Sequence, residues 1–152
     1  KANYYLGLLY ATGQGIPINL EKSQFHLQKA ADLNVPESYY FVAGNYYDGD
    51  GVEINIEKAI YYYEKAINVS EINNDFILSN LYSSYRALRN IYIWEEKFKN
   101  FDKAFIYSEL LFEQRGEPYD IANLAYMYEN AIGTKQDYSR SLNLYKSYIS
   151  FI

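Results

Sequence analysis

One stretch of the chain occurs twice, first as Leu6-Gly7-Leu8-Leu9-Tyr10-Ala11-Thr12-Gly13-Gln14-Gly15-Ile16 and again 36 residues later as Val42-Ala43-Gly44-Asn45-Tyr46-Tyr47-Asp48-Gly49-Asp50-Gly51-Val52. The tyrosine and both glycines keep their positions, and Lys29-Ala30 returns at the same offset as Lys65-Ala66. A fixed period of this length is typical of repeat proteins, in which each copy is one supersecondary unit.

Each copy is predicted to form two short helices, A and B. In the first copy, apolar residues at helical spacing predict a helix A from Ala2 to Thr12 and a helix B from Leu20 to about Leu33. Gly13 is expected to end helix A, because glycine readily adopts the left-handed backbone found at helix C-termini. Stacked pairs of this kind form an all-α solenoid, which is the predicted fold class.

Two further copies are less regular. The fourth copy repeats the leucine, the small residue, the tyrosine and the second glycine as Leu124, Ala125, Tyr128 and Gly133. The third copy lacks the Gly-x-Gly loop, and we align its Tyr82 with Tyr46 and place nine additional residues between its two helices. Its helix A is predicted to continue through Arg86 toward Ile91, and its helix B to run from Phe101 to Gln114. The predicted units are about 1–36, 37–72, 73–117 and 118–152, and we expect them to be a piece of a longer array.

Composition excludes several classes of function. The net charge is −5, and no cluster of Lys and Arg provides the basic surface that nucleic acid or anionic lipid requires. No apolar run approaches the roughly 20 residues of a membrane span, so membrane insertion is not expected. The chain has no cysteine, which excludes disulfides, thiolate zinc sites and a cysteine nucleophile.

No motif for catalysis, metal binding or cofactor binding has its required spacing. The Gly13-x-Gly15 loop lacks the Lys-Ser/Thr ending of a phosphate-binding loop. Asp48, Asp50 and Glu53 do not reproduce the ligand spacing of a calcium loop. The sole histidine, His26, has no evident acidic or nucleophilic partner and is expected to be a packing or surface residue. We therefore predict a non-enzymatic protein without cofactor or metal.

The repeat units resemble the Sel1-like repeats, which are relatives of the tetratricopeptide repeats. The resemblance rests on the first unit through Leu6-Gly7, Tyr10, Gly13, Gly15-Ile16, Lys22-Ser23 and Ala30-Ala31, and the second unit matches similarly. It implies a right-handed superhelix with a concave face, and an adaptor that binds a partner protein or peptide. Some bacterial members resemble immunity proteins that neutralise a secreted toxin, and this is the alternative function.

The proposed contact surface is the side of helix A that points away from the stripe containing Leu6 and Tyr10. Tyrosine suits such a surface, because it combines a large contact area with a polar group at low entropy cost. The repeat tyrosines Tyr10, Tyr46, Tyr82 and Tyr128 are instead expected in the core. The predicted partner-binding residues are Tyr4, Leu8, Tyr40, Tyr47, Asn80, Ser83, Arg86, Tyr126 and Glu129.

Two further features bear on partners. Arg86, Arg89 and Arg115 flank the irregular third unit, where they can either bind an acidic partner or pair with Glu95, Glu96 and Glu117; the pairing is favoured. No polar capping repeat is visible at either end, and the chain closes on the apolar stretch Ser147-Tyr148-Ile149-Ser150-Phe151-Ile152. End-to-end self-association is therefore a further expectation.

Overall fold

The computed structural model describes residues 1–69 and 75–150, and every regular element within them is helical. The eight α-helices of these residues are α1 (Ala2–Thr12), α2 (Leu20–Asp32), α3 (Tyr39–Asp48), α4 (Ile56–Ile67), α5 (Asp75–Trp94), α6 (Phe101–Gln114), α7 (Pro118–Asn130) and α8 (Tyr138–Ile149). Short 3₁₀ turns cover Pro36–Ser38 and Glu96–Phe98. The all-α prediction is confirmed. The predicted boundary at residue 72 and the terminal Phe151 and Ile152 lie outside the described residues.

The helices form two compact units, residues 1–84 and 85–152, and the division falls within α5. In the first unit α1 pairs with α2 and α3 with α4. Hydrogen bonds join the two pairs, because Asn45 Nδ2 donates to Gln24 Oε1 at 2.8 Å and Tyr46 Oη donates to Gln28 Oε1 at 3.3 Å. In the second unit α7 pairs with α8 around a core that contains Leu124, Tyr128 and Leu144.

The Gly-x-Gly loops act as predicted at helix ends and also bring successive helices together. Gly13 and Gly49 end α1 and α3 in the left-handed conformation, with φ of 72° and 82°. The second glycine of the second copy, Gly51, packs so closely on α2 that a Cβ there would lie 2.1 Å from the Leu20 carbonyl oxygen. A Cβ added at Gly133 would likewise lie 2.0 Å from the Phe101 carbonyl oxygen of α6. This second glycine therefore allows a backbone-to-backbone contact between consecutive repeats.

The same set of contacts connects helix A to helix B in all four repeats, and we call this connection the joint. The N-cap residue of helix B uses its side chain to accept a hydrogen bond from the backbone N–H three residues on, which satisfies a free donor of the first turn. The four N-caps are Asn19, Asn55, Asn100 and Asp137. Their backbone N–H groups donate to the carbonyl oxygens of Tyr10, Tyr46, Tyr92 and Tyr128. The basic residues Lys22, Lys58, Lys103 and Arg140 stand over the same tyrosine rings, 4.7–5.4 Å from the centroids.

This joint corrects the predicted register of the third repeat. Tyr92, and not Tyr82, receives the hydrogen bond from Asn100 and lies beneath Lys103. The additional residues therefore precede the repeat segment of helix A and do not lie between the helices. As a result α5 begins at Asp75, about two to three helical turns earlier relative to its tyrosine than α1, α3 or α7.

The corrected register places Arg89 where the other repeats carry a small residue. Three residues before each repeat tyrosine stand Gly7, Ala43, Arg89 and Ala125. Gly7 allows α1 to approach α2 closely, because a Cβ there would lie 2.6 Å from Leu27 Cγ. Arg89 is completely buried, and its guanidinium lies 3.3 Å from Asp120, whose carboxylate is also completely buried. Burial lowers the pKa of Arg89.

Candidate protein-binding surface

Aromatic side chains meet at the N-terminal ends of α1, α3 and α5 in the first unit. Tyr4 lies 6.0 Å from Phe41 and 6.3 Å from Phe76, measured between ring centroids. Phe41 and Phe76 stack at 6.1 Å with an interplanar angle of 14°, and Tyr5 packs edge-on against Tyr4 at 5.2 Å. We refer to Tyr4, Tyr5, Phe41 and Phe76 as the aromatic cluster.

The cluster is buried at its base and open at its rim. Tyr4 is only 5% exposed, whereas Tyr5 is 60% and Phe76 is 42% exposed. Burial, with a smaller contribution from the charge of Glu37, raises the pKa of Tyr4 to about 12. Two large apolar rings therefore face solvent on a base that holds them in place.

Tyr40 and Tyr63 extend the base of the cluster toward α4. Tyr40 lies 5.5 Å from Phe41 and 6.0 Å from Tyr63. Tyr63 is buried, and burial together with its neighbours Tyr40 and Asp48 raises its pKa above the usual value. The predicted residue Tyr40 is thus in contact with the cluster and partly exposed.

One carboxylate borders the aromatic cluster. Glu37 precedes Phe41 by one helical turn, and its Oε2 is buried without a hydrogen-bond donor among the described residues. Lys1 Nζ lies 3.6 Å from Oε1, on a side chain that is 75% exposed. Among residues 1–69 and 75–150, the negative charge of Glu37 is therefore balanced by one loosely held lysine.

The structure places the predicted contact residues in three different environments. Those that keep partly or fully exposed side chains are Leu8, Tyr40, Tyr47, Ser83, Tyr126 and Glu129. Tyr126 is 46% exposed, and Glu129 accepts a hydrogen bond from Tyr145 Oη at 3.2 Å. Tyr4 and Asn80 are buried, which corrects their predicted place on an open side of helix A, and their role in partner binding stays a prediction.

The reasons for the two corrections differ. Tyr4 is covered by the rings of Phe41 and Phe76, which come from other repeats. Asn80 was aligned through Tyr82, whereas the register set by Tyr92 places it in the additional turns of α5. Its Nδ2 is buried without a hydrogen-bond acceptor among the described residues.

Arg86 belongs to a buried ion-pair network in the second unit. Its guanidinium donates hydrogen bonds to the carboxylates of Glu117 and, at 2.5 Å, Asp120. Asp120 also forms an ion pair with Arg89. The hydrogen bond to Asp120 raises the pKa of Arg86. Arg115 pairs with Glu117 at 2.5 Å. The favoured expectation, that these arginines pair within the chain, is confirmed for Glu117, and Asp120 is the acidic partner that the sequence reasoning missed.

Tyr5, Phe41 and Phe76 were not among the predicted contact residues. A signal for Tyr5 was present, because α1 is apolar around its whole circumference and such a helix has no face reserved for solvent. His26 has the packing role expected of it, stacked on Tyr10 at 5.8 Å with Nδ1 3.1 Å from Asn3 Oδ1.

Within residues 1–69 and 75–150, no helix combines the length and apolarity that crossing a membrane requires. The same residues contain no group of three or more His, Asp or Glu side chains placed to hold a metal ion. The self-association expected from the apolar ends stays a prediction.

Comparisons with known proteins identify the repeats. The family model of the Sel1 repeat matches residues 1–35, 36–68 and 118–147, and passes over the third repeat. A crystal structure of a Sel1 repeat protein from Oxalobacter formigenes is 21% identical, with a TM-score of 0.80 over 99% of this chain and 58% of that chain. A protective antigen of uropathogenic Escherichia coli that displays an SLR fold is also 21% identical, with a TM-score of 0.49 over 99% of this chain and 38% of that chain.

No curated protein matches the chain. The chain spans less than two thirds of the length of both solved structures. At this identity the Oxalobacter formigenes structure supports the fold alone. The family model covers well over half of the residues, in three separate repeats with the spacing of the helix pairs described above. The chain therefore belongs to the Sel1 repeat family, whose repeats typically mediate protein interactions.

Proposed function

We infer that this chain is a non-enzymatic interaction scaffold that binds a partner protein or peptide through the helix A face of its repeats. The observation that carries the inference is the aromatic cluster, in which Tyr5 and Phe76 expose large rings above a packed base. The other partly exposed helix A residues of the first unit form part of the same proposed surface: Leu8, Tyr40, Tyr47 and Ser83. Tyr126 and Glu129 are separate proposed contacts in the second unit.

Aromatic rings in this setting suit protein recognition. Tyrosine and related side chains dominate binding energy at protein interfaces, because they bury a large area with few rotatable bonds. The ring contacts already restrict Tyr5 and Phe76, so less conformational entropy is lost when a partner covers them. Exposed aromatics of this size, grouped on one surface, are typical of an interaction site.

The proposal can be tested by capture from a lysate of the source organism. The immobilised chain is compared with Tyr5→Ala/Phe76→Ala and with a control variant, Phe25→Ala/Tyr61→Ala, which removes two equally exposed rings from helix B positions. We expect a protein to be retained by the unmodified chain and by the control and to be lost from the first variant. Binding of the captured protein to the purified chain is then measured by calorimetry, and a defined stoichiometry is expected.

Circular dichroism of each variant distinguishes loss of binding from loss of fold. Equal retention by both variants would show that the aromatic cluster is not the binding surface. A separate Tyr126→Ala variant reports on the second unit, where Tyr126 and Glu129 are the predicted contacts.

A further inference from the structure

We propose that the aromatic cluster and Glu37 together bind the guanidinium group of an arginine, presented by a basic segment of the partner. This inference rests on the proposed scaffold function and adds the chemical class of what the surface recognises. Three independent features support it: the exposed ring faces, the weakly balanced carboxylate and the distribution of charge along the chain.

The exposed rings provide the surface on which a planar cation can stack. A guanidinium stacks on aromatic faces more favourably than an ammonium does, because it is planar and weakly hydrated. Phe41 and Phe76 lie nearly parallel, and Phe76 and Tyr5, which each contact Tyr4, are both exposed to solvent. The chain uses the same pairing internally, since Arg140 lies 4.7 Å above the Tyr128 ring.

Glu37 provides the complementary charge. A carboxylate and a guanidinium form two parallel charge-assisted hydrogen bonds, which are stronger and more directional than a pair with lysine. Within the described residues, Glu37 Oε2 has no donor and Oε1 has only Lys1 at 3.6 Å. An incoming arginine can replace this exposed lysine at Oε1.

The charge distribution favours a basic partner at the first unit. Residues 1–84 contain ten Asp and Glu but only five Lys and no Arg, whereas residues 85–152 contain nine acidic and nine basic residues. The whole net charge of −5 is therefore carried by the unit that contains the aromatic cluster. Such a field attracts a basic segment and accelerates its association.

The test measures binding of synthetic peptides to the full chain by fluorescence anisotropy. The probe is a fluorescein-labelled peptide of alternating Arg and Ser, compared with Lys-Ser and Glu-Ser peptides of equal length. We expect the Arg-Ser peptide to bind most tightly, the Lys-Ser peptide several-fold more weakly, and the Glu-Ser peptide not to bind. Glu37→Gln should weaken the Arg-Ser peptide about tenfold, which is the size expected for one charge-assisted interaction.

Matched variants separate a specific site from general attraction between opposite charges. Glu53→Gln changes the net charge equally at an exposed residue of the same unit, and should alter the affinity less than about twofold. Phe76→Ala should weaken binding several-fold, whereas Phe25→Ala should leave it unchanged. Circular dichroism confirms that each variant is folded.

Several results would overturn the proposal. Equal losses from Glu37→Gln and Glu53→Gln would assign binding to the overall charge, and equal affinities for the Arg and Lys peptides would remove the guanidinium preference. Absence of peptide binding would also refute it. If a partner is still captured through Tyr5 and Phe76 in those cases, the scaffold function stands and only the arginine preference fails.

Discussion

Substitution of Gly51 by alanine tests whether consecutive repeats depend on a backbone-to-backbone contact. Gly51 has a φ of 70°, and an added Cβ would lie 2.1 Å from the Leu20 carbonyl oxygen and 2.6 Å from the Glu21 backbone nitrogen. Because both neighbours are backbone atoms, rotation of a side chain cannot relieve the clash. The loop or the first turn of α2 must move by about 1 Å to restore ordinary contact.

Gly15 is the natural control, because it has a similar φ of 79° but no atom within 4 Å of the added Cβ. Gly15→Ala therefore carries only the strain of a left-handed alanine, about 1–2 kcal/mol. Gly51→Ala carries the same strain and an additional overpacking cost of about 1–3 kcal/mol. We therefore expect the free energy of unfolding of Gly51→Ala to be lower than that of Gly15→Ala by the overpacking cost, about 1–3 kcal/mol.

Urea unfolding followed by far-ultraviolet circular dichroism measures this difference. The slope of the transition should be the same for both variants, because neither changes the surface exposed on unfolding. Losses that agree within about 0.5 kcal/mol would show that the close approach of Gly51 to α2 contributes nothing to stability. Gly133→Ala provides an independent repetition, since its Cβ would lie 2.0 Å from the Phe101 carbonyl oxygen.

Three further predictions concern the joint, the ion-pair network and the base of the aromatic cluster. Asn55→Ala removes the N-cap of α4 and should lower the free energy of unfolding, measured in urea, by about 1 kcal/mol. An unchanged free energy of unfolding would show that the joint does not stabilise the fold. Asp120→Ala leaves Arg89 buried without its carboxylate and should cost about 3–5 kcal/mol in the same assay, and the double variant with Arg89→Met should lose less. Tyr4 stays protonated in the folded chain up to about pH 12, so its contribution to stability is complete below pH 10 and is lost as the pH rises through 12. Phenolate absorbance should show a late-ionising group that Tyr4→Phe removes, and an unchanged titration would contradict the burial of this ring.

The local signals in the sequence were sufficient for most helix boundaries. The predicted bounds of α1 and α6 agree with the structure, because each depends on residues within one turn of the helix end. Gly13 stops α1, and Asn100 starts α6 by capping Lys103. Boundaries set by such neighbours can be predicted from sequence, since no distant contact takes part in them.

The register of the third repeat could not be obtained in the same way. Tyr82 and Tyr92 both lie in one uninterrupted helix, and without a Gly-x-Gly loop nothing in helix A distinguishes them. The informative signal lies in helix B, where Asn100-x-x-Lys103 repeats the pattern of Asn55-x-x-Lys58. An alignment anchored on the N-caps selects Tyr92 once the connection is shortened from nine residues to eight, and the Tyr92 carbonyl oxygen accepts the hydrogen bond from the Asn100 N–H.

The misplaced register and the burial of Tyr4 have one physical origin. The additional turns of α5 precede its repeat segment, and they carry Phe76 to the rings of Tyr4 and Phe41. A regular third repeat would begin its helix A after this point and could not supply that ring. The irregularity that removes the third repeat from the family pattern therefore also completes the aromatic cluster. Recognition specific to this chain is accordingly expected where the repeat pattern fails, because the regular positions are already committed to the joints that all four repeats share.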